Sequence, residues 1–346
     1  AADAFGAAYR SDGAGYDAED RVLVRLDPAW VRYAPLTTSG VIVGAAALGF
    51  LANILNQASD NVWQEGWNYL RSWSFGWALT VAILLVGVLV GVSVLAVLGY
   101  LLTNWGLVVS HNATGHSYHL RRGLLTTRET SIDESRVRGL EVGEPLGLRL
   151  AHGGRLAVIV TGLSKKTQSA ATLVPPAPAE VVARVGEDVL GESGPLTAPL
   201  TEHGPAARRR RLTRAVVPAL IVLAVVAVLV LTLDWPAWLL VLGIVVIALA
   251  VPLARDRYAA LGHAIVGPYL VVRSGSFTRR RDALERDGII GWNVRASLFQ
   301  RRQGVVTLTA TTAAGHQEYT AYDLPEGRAI AVADEATPGM LSEFLV

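Results

Sequence analysis

Four stretches of the chain are hydrophobic without interruption by charge. Residues 34–55 mix Val, Ile and Leu with small residues (Gly40, Gly44, Ala45, Ala46, Ala47, Gly49), residues 75–105 form a longer second block, and residues 215–233 and 235–253 form a third and a fourth. Each is long enough to cross about 30 Å of hydrocarbon at ~1.5 Å per residue. The second exceeds that need and is expected to tilt or to project as a stalk. Asp234 beside Pro236 separates the last two, which predicts a tight helical hairpin. Buried helices of a soluble protein would be the alternative, but four charge-free runs near this length argue for transmembrane helices arranged as two hairpins.

Elsewhere the period changes to two. Residues 305–311 alternate Val306, Leu308 and Ala310 with Thr307, Thr309 and Thr311, the pattern of a strand with one buried face. Residues 269–273 and 276–284, divided by Ser274-Gly275, read as two more strands. Residues 178–190 switch to helical spacing, so strands closing on one helix suggest a small plugged barrel. At an offset of 152, Gly123, Thr126, Arg128, Gly139, Val142, Leu146 and Arg149 meet Gly275, Thr278, Arg280, Gly291, Val294, Leu298 and Arg301 as identities. Leu125 meets Phe277, Ile132 meets Leu284 and Val137 meets Ile289, so hydrophobic class is kept between them. A duplication is the economical reading: a membrane hairpin followed by a soluble domain, made twice. The expected boundaries are a mobile tail at 1–26, a hairpin with a Trp-rich outer loop at 27–105 and a first soluble domain at 106–192. A basic linker at 193–212, a second hairpin at 213–254 and a second soluble domain at 255–346 follow.

Composition agrees with this division. The 346 residues are 51% hydrophobic and 17% charged, against roughly 25% charged in an average soluble domain. The absence of cysteine excludes a disulfide framework, and a formal net charge of +2 gives no whole-protein field for nucleic acid. Position of charge decides more. Arg21, Arg25 and Arg32 precede the first span, Arg208, Arg209, Arg210, Arg211 and Arg214 abut the third, and Arg255 and Arg257 follow the fourth. Of Lys and Arg, the outer loops hold only Arg71, so both termini and the segment between the hairpins are expected in the cytoplasm of a bacterial plasma membrane protein.

Two surfaces are candidates for lipid or partner contact. Trp63, Trp67, Trp73 and Trp77 recur at near-helical spacing and suggest an amphipathic segment on the outer leaflet; an ordinary aromatic belt at two span ends explains the same pattern. Arg208, Arg209, Arg210, Arg211 and Arg214 are candidates for anionic-lipid contact, against the plainer reading that they fix topology. Arg279 and Arg281 fall on a strand as a surface for assembly, lipid or solvent.

Catalytic parts are missing. His111, His116 and His119 fall on a hairpin with 116 and 119 on opposite faces, so neither a metal site nor a cofactor is expected. His152-Gly153-Gly154 has no Gly-x-Ser-x-Gly elbow to serve, and neither a His-Glu-x-x-His nor a P-loop pattern occurs. Ionisable residues are absent from the spans, which disfavours a transporter.

Arg122-Gly123-Leu124-Leu125 through Arg128, Ile132-Asp133 and Arg136-Val137, repeated as Arg273-Ser274-Gly275-Ser276-Phe277 through Arg281, Leu284-Glu285 and Ile289, resembles the bacterial pleckstrin-homology (PH) membrane proteins of the YdbT/YdbS type. Gly288 departs from the pattern where the first copy has Arg136. The resemblance implies two cytoplasmic PH-like β-barrels, each seven-stranded with a C-terminal helix, a role in envelope defence or membrane organisation, and a smaller YdbS-like partner. In eukaryotic PH domains phosphoinositides are held by basic residues of the first hairpin loop. Here the corresponding turns, residues 112–115 and Gly267-Pro268, contain neither Lys nor Arg.

The combined expectation is a non-enzymatic scaffold whose soluble domains assemble as homo-oligomers or with a related subunit. The Gly40 to Gly44 spacing supports close helix contact. Handling of a lipid or membrane-active peptide by the Trp-rich segment is the alternative.

Overall fold

The structure is a computed structural model that describes residues 20–37, 46, 49, 53, 76–162, 172–233 and 235–340. Most of the first span, the tail up to residue 19, Trp63, Trp67, Trp73, the side chain of Trp77 and Asp234 lie outside the described residues. The chain divides into two compact units, Ala1–Val137 and Arg138–Val346.

In the first unit, β1 (Asp20–Arg25), β2 (Val108–Asn112), β3 (Ser117–Arg122) and β4 (Arg128–Asp133) form one antiparallel sheet in that order. Period-two alternation buries Val24, Val109, Tyr118, Leu120 and Ile132 on one face. A 3₁₀ segment (Pro28–Leu36) starts where the Asp27 carboxylate accepts from the Ala29 N–H at 2.8 Å, and it buries Trp30 and Tyr33. Residues 20–25, placed in the tail by the sequence reading, are thus a sheet strand. The uncharged helix α1 (Gly76–Asn104) contains a membrane-length span, Val86–Asn104. Leu89, Val90 and Val94 on it are exposed, as a lipid-facing helix requires. Gly123 (φ +120°) turns β3 toward β4 and donates its N–H to Trp105 O at 2.9 Å, which ties the turn to the end of α1.

The second unit contains β5 (Val137–Pro145), α2 (Leu146–Leu150), β6 (Gly153–Val160), β7 (Thr172–Pro178) and α3 (Ala179–Leu190). The helices α4 (Gly204–Thr232) and α5 (Trp238–Ala259) follow. Then come β8 (Gly262–Val266), β9 (Tyr269–Gly275), β10 (Thr278–Glu285), β11 (Gly291–Arg295), α6 (Leu298–Arg301), β12 (Val305–Thr311), β13 (Glu318–Pro325) and α7 (Glu326–Ala336). Both α4 and α5 are long and apolar enough to cross a membrane, so three helices of that length and character lie among the described residues. They pack closely: a Cβ on Gly243 would stand 2.6 Å from Leu223 Cδ1.

The strands form a six-stranded sheet, β7-β6-β5-β10-β9-β8, and a three-stranded sheet, β11-β12-β13. Leu270, Val272 and Leu284 of the first sheet pack on Val306, Leu308, Ala321 and Leu324 of the second, and Val332 and Ala333 of α7 close the core. Two features depart from the sequence expectation. Among the described residues, the second copy contributes six strands rather than seven. The strands of the first copy do not share one unit either: β2, β3 and β4 lie in the first, whereas β5, β6 and β7 join the second by pairing β5 with β10.

That pairing depends on Gly139. Its φ is +146°, and a Cβ there would stand 2.0 Å from the carbonyl oxygen of Ala283 on β10. Gly139→Ala should therefore cost at least about 1–3 kcal/mol, measured as a lowered Tm of the full chain in mild detergent. Gly327→Ala, with open space around it in α7, should leave Tm unchanged or slightly raised.

Candidate membrane-junction site

The helix α4 is 29 residues long, about 44 Å, of which about 30 Å suffices for the hydrocarbon. Its surplus lies at the N-terminal end, where the arginines are, so that end stands in water beside the sheet. There Asp323, buried on β13 at φ +59°, receives Arg210 (Nε to Oδ1, 2.8 Å) and Arg211 (Nη2 to Oδ2, 2.9 Å). Gln300, placed by its capping box with Ser297, donates to Asp323 Oδ1 at 2.9 Å and to Thr307 Oγ1 at 2.8 Å. The Arg211 guanidinium also lies 5.7 Å from the centre of the Tyr322 ring. One carboxylate between two guanidiniums is the arrangement that makes a buried charge tolerable.

Beside it, His203 Nδ1 lies 2.6 Å from Tyr322 O; a carbonyl only accepts, so this nitrogen carries the proton. Burial holds the His203 pKa down. The neighbouring buried His263, 5.1 Å away between ring centres, is pushed down to about 4 by burial and then by His203 and Arg328. Both are therefore neutral at pH 7.

A second carboxylate anchors α5. Asp256 near its end accepts from Arg149 at 2.8 Å, from Arg279 at 3.3 Å and from Ser276 Oγ at 3.1 Å. Arg273 donates to Ala259 O at 2.9 Å and to Ala260 O at 3.3 Å, satisfying carbonyls at the helix end. The Gly275 turn (φ +109°) is thereby held at the end of α5, as the Gly123 turn is held at the end of α1.

These contacts redistribute the arginines picked out by the sequence. Arg208, Arg209 and Arg214 are exposed. Arg210 and Arg211 differ from the lipid-contact expectation, because Asp323 draws them inward. Arg279 and Arg281 are likewise internal: the first is bound to Asp256, and the second donates to Pro195 O at 3.0 Å and Ala198 O at 2.7 Å. Arg214 and Arg257 instead flank a cleft of 480 Å³ between α4 and α5, floored by Pro218, Val222, Val246 and Leu249. The exposed Trp235 and Trp238 mark the far end of this hairpin. Of the hairpin histidines, His111 and His116 approach Glu134 at 3.3 and 3.6 Å, whereas His119 turns to Ser117 Oγ at 3.1 Å.

The family comparison covers the segment around this junction. Residues 215–335, from α4 through α5 and β8–β13 into α7, match the family described as Bacterial PH domain. This segment is a bacterial PH domain. No curated protein and no solved structure matches the chain. The PH domain accordingly includes its membrane hairpin in the matched region, and Asp323 and Asp256 are the groups that attach one to the other.

Within the sheet, the sequence reading missed a carboxyl pair. Asp282 of β10 stands opposite Glu141 of β5. Arg280 Nε lies 3.1 Å from Asp282 and Arg280 Nη1 3.8 Å from Glu141, while His316 Nε2 lies 2.9 Å from Glu141. Burial pushes Asp282 up to about 7, with Arg280 opposing and Glu141 adding to the rise. Burial also works to raise Glu141, but the His316 hydrogen bond and Arg280 bring it below its usual value. Asp282 therefore keeps its proton to higher pH than Glu141 does. The folded chain holds it up to about 7, while an ordinary aspartate releases it near 3.8. This contribution to stability is present in full below about 4 and is lost as pH rises to about 7. In thermal unfolding, the Tm of the parent should fall relative to that of Asp282→Asn across this range and stay level above it; a constant difference would show that Asp282 is ionised throughout.

Proposed function

We propose that this chain is a multi-pass protein of the bacterial plasma membrane, of the YdbT/YdbS type, with its sheets and both termini in the cytoplasm. It acts as a non-enzymatic assembly scaffold, in homo-oligomers or with a smaller related subunit, and serves envelope organisation or defence against membrane-active peptides. The observation that carries this reading is the attachment of the PH domain to its hairpin through Asp323 and Asp256. A module fixed to a membrane helix holds its surfaces at one height and orientation over the bilayer, which reduces the entropy lost when neighbours meet. The duplication inferred from the sequence agrees with this, since local order is the same in both copies. Strands β4, β5 and β6 correspond to β10, β11 and β12, α2 corresponds to α6, and α3 corresponds to α7.

Arginine placement supports the cytoplasmic orientation, because charge at the sheet end of α4 and α5 meets none at the described residues of the far turn. A second reading, contact with anionic lipid, is favoured by the exposed Arg208, Arg209 and Arg214 and by the cleft beside Arg214 and Arg257. Each such guanidinium is worth about 1 kcal/mol near an anionic leaflet.

Native-size measurement of the full chain, extracted from its own membranes in mild detergent, tests assembly. A multimer, or a stoichiometric companion protein, is expected. A monomer that carries only anionic lipid would replace the scaffold reading with the lipid reading.

A further inference from the structure

Inside the second unit, β5 and β10 pair antiparallel from Thr278 opposite Pro145 to Leu284 opposite Gly139, reinforced by Arg138 on Glu285 at 2.8 Å. The strand that corresponds to β5 at the offset of 152 is β11, and the strand that corresponds to β10 is β4. Each of these stands at the end of its own sheet, with one neighbour only among the described residues. Both are also short. The strand β4 has 6 residues where β10 has 8, and β11 has 5 where β5 has 9.

The free edge of β11 has the character of an uncovered contact. Val294 on the strand, Ile290 just before it, and Leu298 and Phe299 on the following α6 are 49%, 67%, 68% and 69% exposed, apolar side chains at a strand edge that a lone soluble fold would guard with charge. Gly291 is the counterpart of Gly139. At Gly139 the absence of a side chain admits the β10 backbone, whereas a Cβ at Gly291 would meet only Thr311 Oγ1, at 3.4 Å. The position has the glycine that a neighbouring strand would need.

Resting on the assembly reading, we propose that β11 of one molecule pairs antiparallel with β4 of a second copy of this chain, repeating between molecules the contact that β5 makes with β10 within one. Transferring the β5–β10 register by the offset of 152 places Ile132 opposite Gly291, Thr130 opposite Asn293 and Glu129 opposite Val294. The interface is strand addition at an exposed edge. Each molecule offers one β4 and one β11, so the contact is heterologous and builds rows or rings in the plane of the membrane. Arg128 falls opposite Arg295, a like-charge pair that opposes this register at that one position.

The full chain contains no cysteine, so designed cysteines report without background. Glu129→Cys and Val294→Cys, carried by separate molecules in one membrane, should form a disulfide-linked dimer on mild oxidation, since facing residues of an antiparallel pair lie within disulfide reach. Glu129→Cys mixed with Leu298→Cys, four residues out of register, should give none. Val294→Lys should abolish the multimer seen by native size while the folded monomer persists with an unchanged Tm. A multimer that survives Val294→Lys and gives no cross-link overturns this surface and leaves the scaffold reading standing. A parent chain that is monomeric and gives no cross-link overturns both.

Discussion

A guanidinium cannot enter hydrocarbon, and it cannot be buried in protein without an anion; the rest of the structure follows from how α4 meets both conditions. Its first turns carry Arg208, Arg209, Arg210 and Arg211, and the helix is too long to be swallowed by a bilayer. Two of the four turn outward to water, and two turn onto Asp323. The carboxylate could not remain buried on β13 without them, nor they beside it. One buried charge cluster therefore fixes the depth of the helix and the position of the sheet together. Asp256 does the same for α5 through Arg149 and Arg279.

Because Arg149 belongs to α2 and Arg279 to β10, that second anchor also ties the first copy's strands to the second copy's hairpin. The six-stranded sheet continues the tie through Gly139, whose missing side chain admits the Ala283 carbonyl. Membrane anchor, PH domain and the transferred strands β5, β6 and β7 are thus one mechanical body within the second unit. The proposed scaffold role would need this property, since stiffness fixes where an edge such as β11 is presented.

Much of this architecture was readable in the chain. Three charge-free blocks became α1, α4 and α5, because a run that long without charge has few other places to go. The alternation at residues 305–311 became β12, and the helical spacing at 178–190 became α3. What could not be read was long-range pairing. A strand pattern states which face is buried but not which neighbour lies alongside, so the β5–β10 pairing left no local trace except Gly139. The partners of Arg210 and Arg211 were hidden for a related reason: a run of positive charge looks the same whether it faces lipid or a carboxylate more than a hundred residues away. Asp323 was the available signal, an acid at the position where the alternation of Tyr319 and Ala321 calls for a third buried apolar residue.

The central claim is that the PH domain is fixed to its membrane helix and does not swing on a tether. Spin labels on Arg209→Cys at the start of α4 and Glu318→Cys on β13, both exposed sites in a chain free of other cysteines, report the distance between the two in lipid nanodiscs by pulsed electron resonance. A single narrow distance distribution is expected from the ion pairs at Asp323. A broad distribution would contradict rigid attachment.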